Sequence, residues 1–132
     1  MKKLISLLAV SILSMASLAQ AALPIEGNWG TRFTQNGYVF DATFSIQNNS
    51  ITLTNVCSWQ GRSVKVQVTV PASYDDKTLT TLGSASDERS LPDGSLHCNV
   101  SAQAESMNYV VRANQLILSQ DGNPQTMVLT RK

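Results

Sequence analysis

Histidine is almost absent from this chain. His97 is the single one in 132 residues. It adjoins Cys98 and falls on the polar side of an alternating stretch, so a solvent-facing role is expected. General acid–base work needs an oriented partner and a cleft, and neither is legible around it. Cysteine is nearly as scarce, with only Cys57 and Cys98. Zinc takes three or four His, Cys or carboxylate ligands, more than this inventory supplies. No G-x-S-x-G elbow occurs. Asp75-Asp76 and Asp87-Glu88 are loop pairs without the spaced D-x-D-x-D-G run of a calcium loop. The expectation is therefore no catalytic residue, no metal, no cofactor and no enzymatic activity.

Charge of one sign is also missing. Charged residues make up 14% of the chain, with ten basic and nine acidic. Beyond Lys2-Lys3 at the start, Arg32, Arg62, Lys65, Lys77, Arg89 and Arg112 are dispersed, and only Arg131-Lys132 are adjacent. A nucleic-acid partner would want a basic patch, and an anionic membrane surface would want the same.

The one long apolar run sits at the start. Lys2 and Lys3 precede an apolar stretch from Leu4 to Leu18, and Ala19-Gln20-Ala21 places small residues where a signal peptidase needs them. The run is short and serine-rich for a bilayer span, and no lipid-attachment cysteine lies near the cleavage point. Residues 1–21 read as a removable signal peptide and 22–132 as one domain, periplasmic or secreted, with no membrane anchor once the leader is gone. In such an oxidising compartment two cysteines read as one disulfide between Cys57 and Cys98, two buried thiols being the alternative.

What the mature chain does have is alternation with a period of two, broken by turn residues. Trp29, Thr31 and Phe33 share a face. Asn36-Gly37 signals a hairpin, and Tyr38, Phe40, Ala42, Phe44 and Ile46 then point one way. After Asn48-Asn49, Ile51 and Leu53 are in phase with Cys57 and Trp59. Asn55 falls on that same apolar face, which predicts either a bulge or an interior polar group. After Gln60-Gly61 come Val64, Val66, Val68 and Val70. Residues 71–77 and 84–94 read as loops, with a weaker strand over 79–83 between them. Leu96 to Ala104 alternates again, and a meander follows through Met107–Arg112, Gln115–Gln120 and Gln125–Arg131. Eight or nine short antiparallel strands and almost no helix fit an all-β barrel, with a β-sandwich as the alternative.

Gly27-x-Trp29 on the first strand, with Arg131 near the end of the last, resembles the calycin superfamily, which includes the lipocalins and small bacterial lipocalin-like domains. The resemblance implies an up-and-down barrel in which Trp29 plugs one end and Arg131 lies across it. Other lipocalin motifs are not evident, and the chain is short for that group. The leading functional expectation is an exported barrel that holds a small hydrophobic ligand against Tyr38, Phe40, Phe44, Trp59, Val66 and Val68. The alternatives are a protein-binding barrel, such as a secreted-protease inhibitor using residues 22–25, and an envelope or stress protein acting through loops 71–77 and 84–94.

Overall fold

The structure, a computed structural model, describes residues 23–132, so the expected leader lies outside the described residues. Ten strands run in order: β1 (Gly27–Gln35), β2 (Tyr38–Gln47), β3 (Ser50–Trp59), β4 (Arg62–Tyr74), β5 (Thr78–Thr81), β6 (Ala85–Ser90), β7 (His97–Ala102), β8 (Ser106–Arg112), β9 (Gln115–Ser119) and β10 (Thr126–Arg131). Eight of them close an antiparallel barrel in the order β1-β10-β9-β8-β5-β4-β3-β2, and β6 and β7 form a separate hairpin. The fold is all-β, and the barrel alternative of the sequence reading is the one realised.

The tight turns follow from their residues. Asn36-Gly37, Asn48-Asn49 and Gln60-Gly61 each have two consecutive positive φ values, between 50° and 82°. Both central residues left-handed is the hairpin turn whose twist matches the strands, and Asn and Gly occupy that region at least cost. These turns set the registers Gln35↔Tyr38, Gln47↔Ser50 and Trp59↔Arg62. Along β4, Val64, Val66, Val68, Val70 and Ala72 are buried while their neighbours are exposed.

The wall is tall on one side and short on the other. β3 has 10 residues and β4 has 13, but β5 has four and β9 five. The seam between first and last strands is shorter still. β1 pairs with β2 over its whole length, yet with β10 only at Trp29↔Arg131 and Gly30↔Thr130. Continuing that register would set Phe33 opposite Met127; instead the strands part, leaving these side chains 54% and 48% exposed.

Above the seam β1 to β4 stand as a curved sheet, and the β6–β7 hairpin packs on β3 and β4. Cys57 on β3 is bonded to Cys98 on β7. Arg62 at the start of β4 grips Asp93 in the hairpin turn at 2.8 Å, and Asp87 of β6 accepts the Gln67 N–H at 3.1 Å. Asn55 needs no bulge: its register is continuous, and its side-chain amide donates to the Asn99 carbonyl of β7 at 3.1 Å. A polar group on the inner face is thus satisfied by the element that covers it.

Two stretches differ from the sequence reading. Residues 71–77 are not a free loop, because β4 continues through Pro71 to Tyr74, with Ala72 buried. Pro71 fits because it stands where β4 leaves its ladder with β3 and begins pairing with β5. Within 84–94, Ala85–Ser90 is a strand. It carries no apolar alternation because only its pairing with β7, from Ala85↔Ala102 to Ser90↔His97, makes it one.

Candidate functional site

One end of the barrel is sealed. Trp29 is fully buried, and its indole N–H donates to the Ile25 carbonyl at 2.8 Å. The Arg131 guanidinium lies 4.0 Å from the centre of the Trp29 ring and donates to the carbonyls of Pro24 (3.2 Å) and Glu26 (3.4 Å). Gly27 has a φ of +132°, and a Cβ there would stand 2.7 Å from Arg131 Nη1. Close approach and a left-handed backbone both ask for glycine at that position. Gly27, Trp29 and Arg131 are therefore one cluster, roofed by a turn in which Glu26 N–H donates to the Leu23 carbonyl at 3.0 Å. Ile25 of that turn is fully buried.

Tyrosines brace this end. Tyr74 donates to Glu26 Oε2 at 2.6 Å, and desolvation together with that carboxylate holds its phenol above the ordinary range. Tyr109 donates to the Asp75 carbonyl, and desolvation, then the charges of Asp75 and Asp76, raise it too. Asp75 is held low because its carboxylate accepts the N–H groups of Lys77 and Thr78. These are local turn and closure contacts.

Above the seal Ile46, Leu79, Leu116 and Leu129 fill the barrel completely, each 0% exposed. Higher still the interior opens into a cleft of about 400 Å³. Phe44, Ile51 and Leu53 form one wall, and Met107, Leu118 and Met127 face it from β8, β9 and β10. The rim is polar, with Gln103, Glu105, Gln120, Asn123 and Gln125. Thr81, the one buried polar residue among those described, ties the rim down: its hydroxyl donates to the Gln103 carbonyl and accepts the Glu105 N–H at 3.0 Å. Gln120 donates to Glu105 Oε2 at 3.1 Å and orients that carboxylate.

The six residues expected to line one interior are divided. Phe44 lines the cleft. Tyr38, Phe40, Trp59 and Val66 instead surround the disulfide with Val64, Leu96 and Leu91, and Val68 belongs to the filled core. The hairpin occupies the space above them. Tyr38 and Trp59 are stacked at 5.3 Å between centroids, and Phe33 and Phe40 at 4.9 Å. Met107, Leu118 and Glu105 also line the cleft, and nothing in their sequence pattern marks them as a site. The available signal was slight: Met127 shares a face with Leu129 and Arg131, and methionine suits an irregular apolar wall.

His97 has a partner after all. Its Nδ1 lies 2.7 Å from Ser90 Oγ and its Nε2 3.5 Å from Glu88 Oε2. The Glu88 side chain is 72% exposed, so water screens the acid that would have to orient the ring. Among the described residues no group of three or more His, Cys, Asp or Glu stands close enough to hold a metal ion. Asp93 is held far below the usual carboxylate range, first by the hydroxyl and N–H of Ser95 and then by Arg62, which is a latch for the hairpin turn. Compared with known proteins, the chain matches no family model, no curated protein and no solved structure.

Proposed function

We propose that this chain is an exported, calycin-type binding protein that holds a small, mainly apolar ligand in the cleft above its filled core, without catalysis. The observation that carries the reading is the cleft itself. A concavity of about 400 Å³ with apolar walls and a few polar rim groups falls within the size and composition of small-molecule sites. The calycin assignment draws support from the Gly27, Trp29 and Arg131 cluster at the sealed end. Export draws support from the leader-like residues 1–21 and from a disulfide suited to an oxidising compartment. Met127, exposed on β10 beyond its short pairing with β1, also lines the cleft.

The test is displacement of a neutral hydrophobic dye, N-phenyl-1-naphthylamine, by extracts and by pure amphiphiles. Thr126 lies exposed at the mouth, so Thr126→Trp should block the cleft and leave the melting temperature unchanged. Dye affinity is expected to fall at least tenfold in that variant. Wild-type protein that binds neither dye nor any native-envelope lipid, as read by native mass spectrometry, overturns the proposal.

One observation favours a second reading, a protein-binding barrel. Beyond Gly30, β1 pairs on one side only, and Phe33 is exposed there. A free strand edge with an apolar side chain accepts an extended peptide as an added strand. A photo-crosslinker at Phe33 should then capture one protein from the native envelope, and Thr34→Pro should abolish the adduct. Capture that is absent, or indifferent to Thr34→Pro, removes this reading.

A further inference from the structure

The residues around the cleft restrict what the polar end of a ligand can be. This inference rests on the binding reading above and goes further, to the charge of the ligand. Among the described residues Glu105 is the one ionisable side chain that lines the cleft, and no lysine, arginine or histidine does so. Three cations of the barrel have partners away from the cleft. Arg131 lies on Trp29 at the sealed end, Lys132 reaches Asp41 Oδ1 (3.0 Å) and Thr43 Oγ1 (2.6 Å) on β2, and Arg62 holds Asp93.

The Glu105 carboxylate is presented to the cleft, not consumed by the protein. Among the described residues its one side-chain partner is Gln120, which donates to Oε2 at 3.1 Å. A carboxylate carries about four acceptor sites on its two oxygens, so Oε1 and the remaining lone pairs are left for a donor on a ligand. The other polar groups at the rim are neutral, the amides of Gln103, Asn123 and Gln125 and the hydroxyls of Ser101, Ser119 and Thr126, which solvate a head group of either polarity without neutralising a negative one.

A long-chain carboxylate placed here would give up water, meet Glu105 and find no cation in return. Burying a charge without a partner is costly, and like charges at close range repel. A protonated amine has the opposite balance: its N–H donors meet the free carboxylate oxygens while its chain lies between Phe44, Leu53, Met107 and Leu118. We infer that the cleft takes a cationic amphiphile, an apolar chain ending in a protonated amine, and discriminates against fatty-acid anions through Glu105.

The experiment compares three ligands with one chain and different heads, dodecylamine, dodecanol and dodecanoate, each below its micelle-forming concentration. Affinity is read by displacement of N-phenyl-1-naphthylamine near pH 7 at low salt. The wild type should bind the amine more tightly than the carboxylate by on the order of tenfold, equivalent to about 1.4 kcal/mol, with the alcohol between. The ratio should shrink as salt is raised, because the mouth is open to water. Glu105→Gln keeps the shape and should bring amine and carboxylate within about twofold while dodecanol is unaffected. Glu105→Lys should reverse the order. Glu105 is exposed, so both variants should fold, which a thermal melt checks. A wild type that binds dodecanoate as well as dodecylamine, or an amine preference that survives Glu105→Gln, overturns the inference and leaves the binding reading standing. If the dye binds and none of the three displaces it, this inference alone falls; if the dye itself does not bind, both fall together.

Discussion

Removing the Cys57–Cys98 crosslink should destabilise the domain far more than the two sulfur atoms suggest. The bond joins β3 of the barrel to β7 of the hairpin, with a Cα–Cα distance of 5.7 Å and a sequence separation of 41, so the closed loop holds 41 + 1 = 42 residues. In the chain-entropy account such a loop restrains the unfolded chain by about 13 cal/mol/K, or about 4 kcal/mol at room temperature. The folded state has other means of holding the hairpin: Arg62 on Asp93, Asp87 on the Gln67 N–H, Asn55 on the Asn99 carbonyl, and buried Leu96. The native structure should therefore survive reduction, and the loss should lie chiefly in the unfolded ensemble.

Because small domains are stable by only about 5–15 kcal/mol, a loss of 4 is large, equivalent to a melting temperature lower by roughly 15 °C. The assay is guanidinium unfolding of oxidised and reduced wild type beside the double variant C57A/C98A. The reduced wild type keeps its sulfur atoms, so it separates the crosslink from the packing of two residues that are 2% and 1% exposed. Hydrogen exchange of the β6–β7 amides completes the test. A loss on reduction below about 1 kcal/mol would refute the entropic account. So would selective loss of protection in β6 and β7 with the barrel unchanged, since that would make the bond a local clamp.

Other perturbations read other parts of the fold. Gly27→Ala puts a Cβ 2.7 Å from Arg131 Nη1 at a φ of +132°, and chemical denaturation should show a loss of about 1–3 kcal/mol. The pairing of Arg131 with Trp29 should appear in an Arg131→Gln, Trp29→Phe double-mutant cycle as a coupling of about 0.5–2 kcal/mol; additivity within error would show that the stack contributes nothing. Tyr74 and Tyr109 have phenol pKa values raised in the folded state. Their contribution is fully present below about pH 10, the ordinary tyrosine value, and is lost as pH rises above it and the unfolded chain ionises first. Tyr74→Phe should thus flatten the alkaline fall in stability. It should also cost about 1 kcal/mol near neutrality through the lost bond to Glu26, and an unchanged alkaline slope would count against this account.

Much of the architecture was legible from the residues. Asn36-Gly37, Asn48-Asn49 and Gln60-Gly61 announce their turns because few side chains tolerate a positive φ. Alternation along β2 and β4 assigns each side chain to a face, since the strand period is two. The placement of Gly27 and Trp29 at one end of the chain and Arg131 at the other singled out the residues that meet at the sealed end, and the count of cysteines pointed to the one disulfide.

Tertiary structure alone decided what covers each inward face. Val66 and Val68 alternate identically along β4, yet Val66 packs beside the disulfide beneath the hairpin and Val68 joins the filled core. Ala85–Ser90 has no apolar signature, because its pairing with β7 and its seat on β4 are long-range contacts. Asn55 was ambiguous until Asn99 supplied its partner. The cleft, with Glu105 at its rim, is assembled from strands far apart in the chain, β2 and β3 on one side and β8 to β10 on the other. Periodicity records which way a side chain points, whereas a cavity depends on where opposing surfaces stop short of each other, and that distance is set only when the barrel closes.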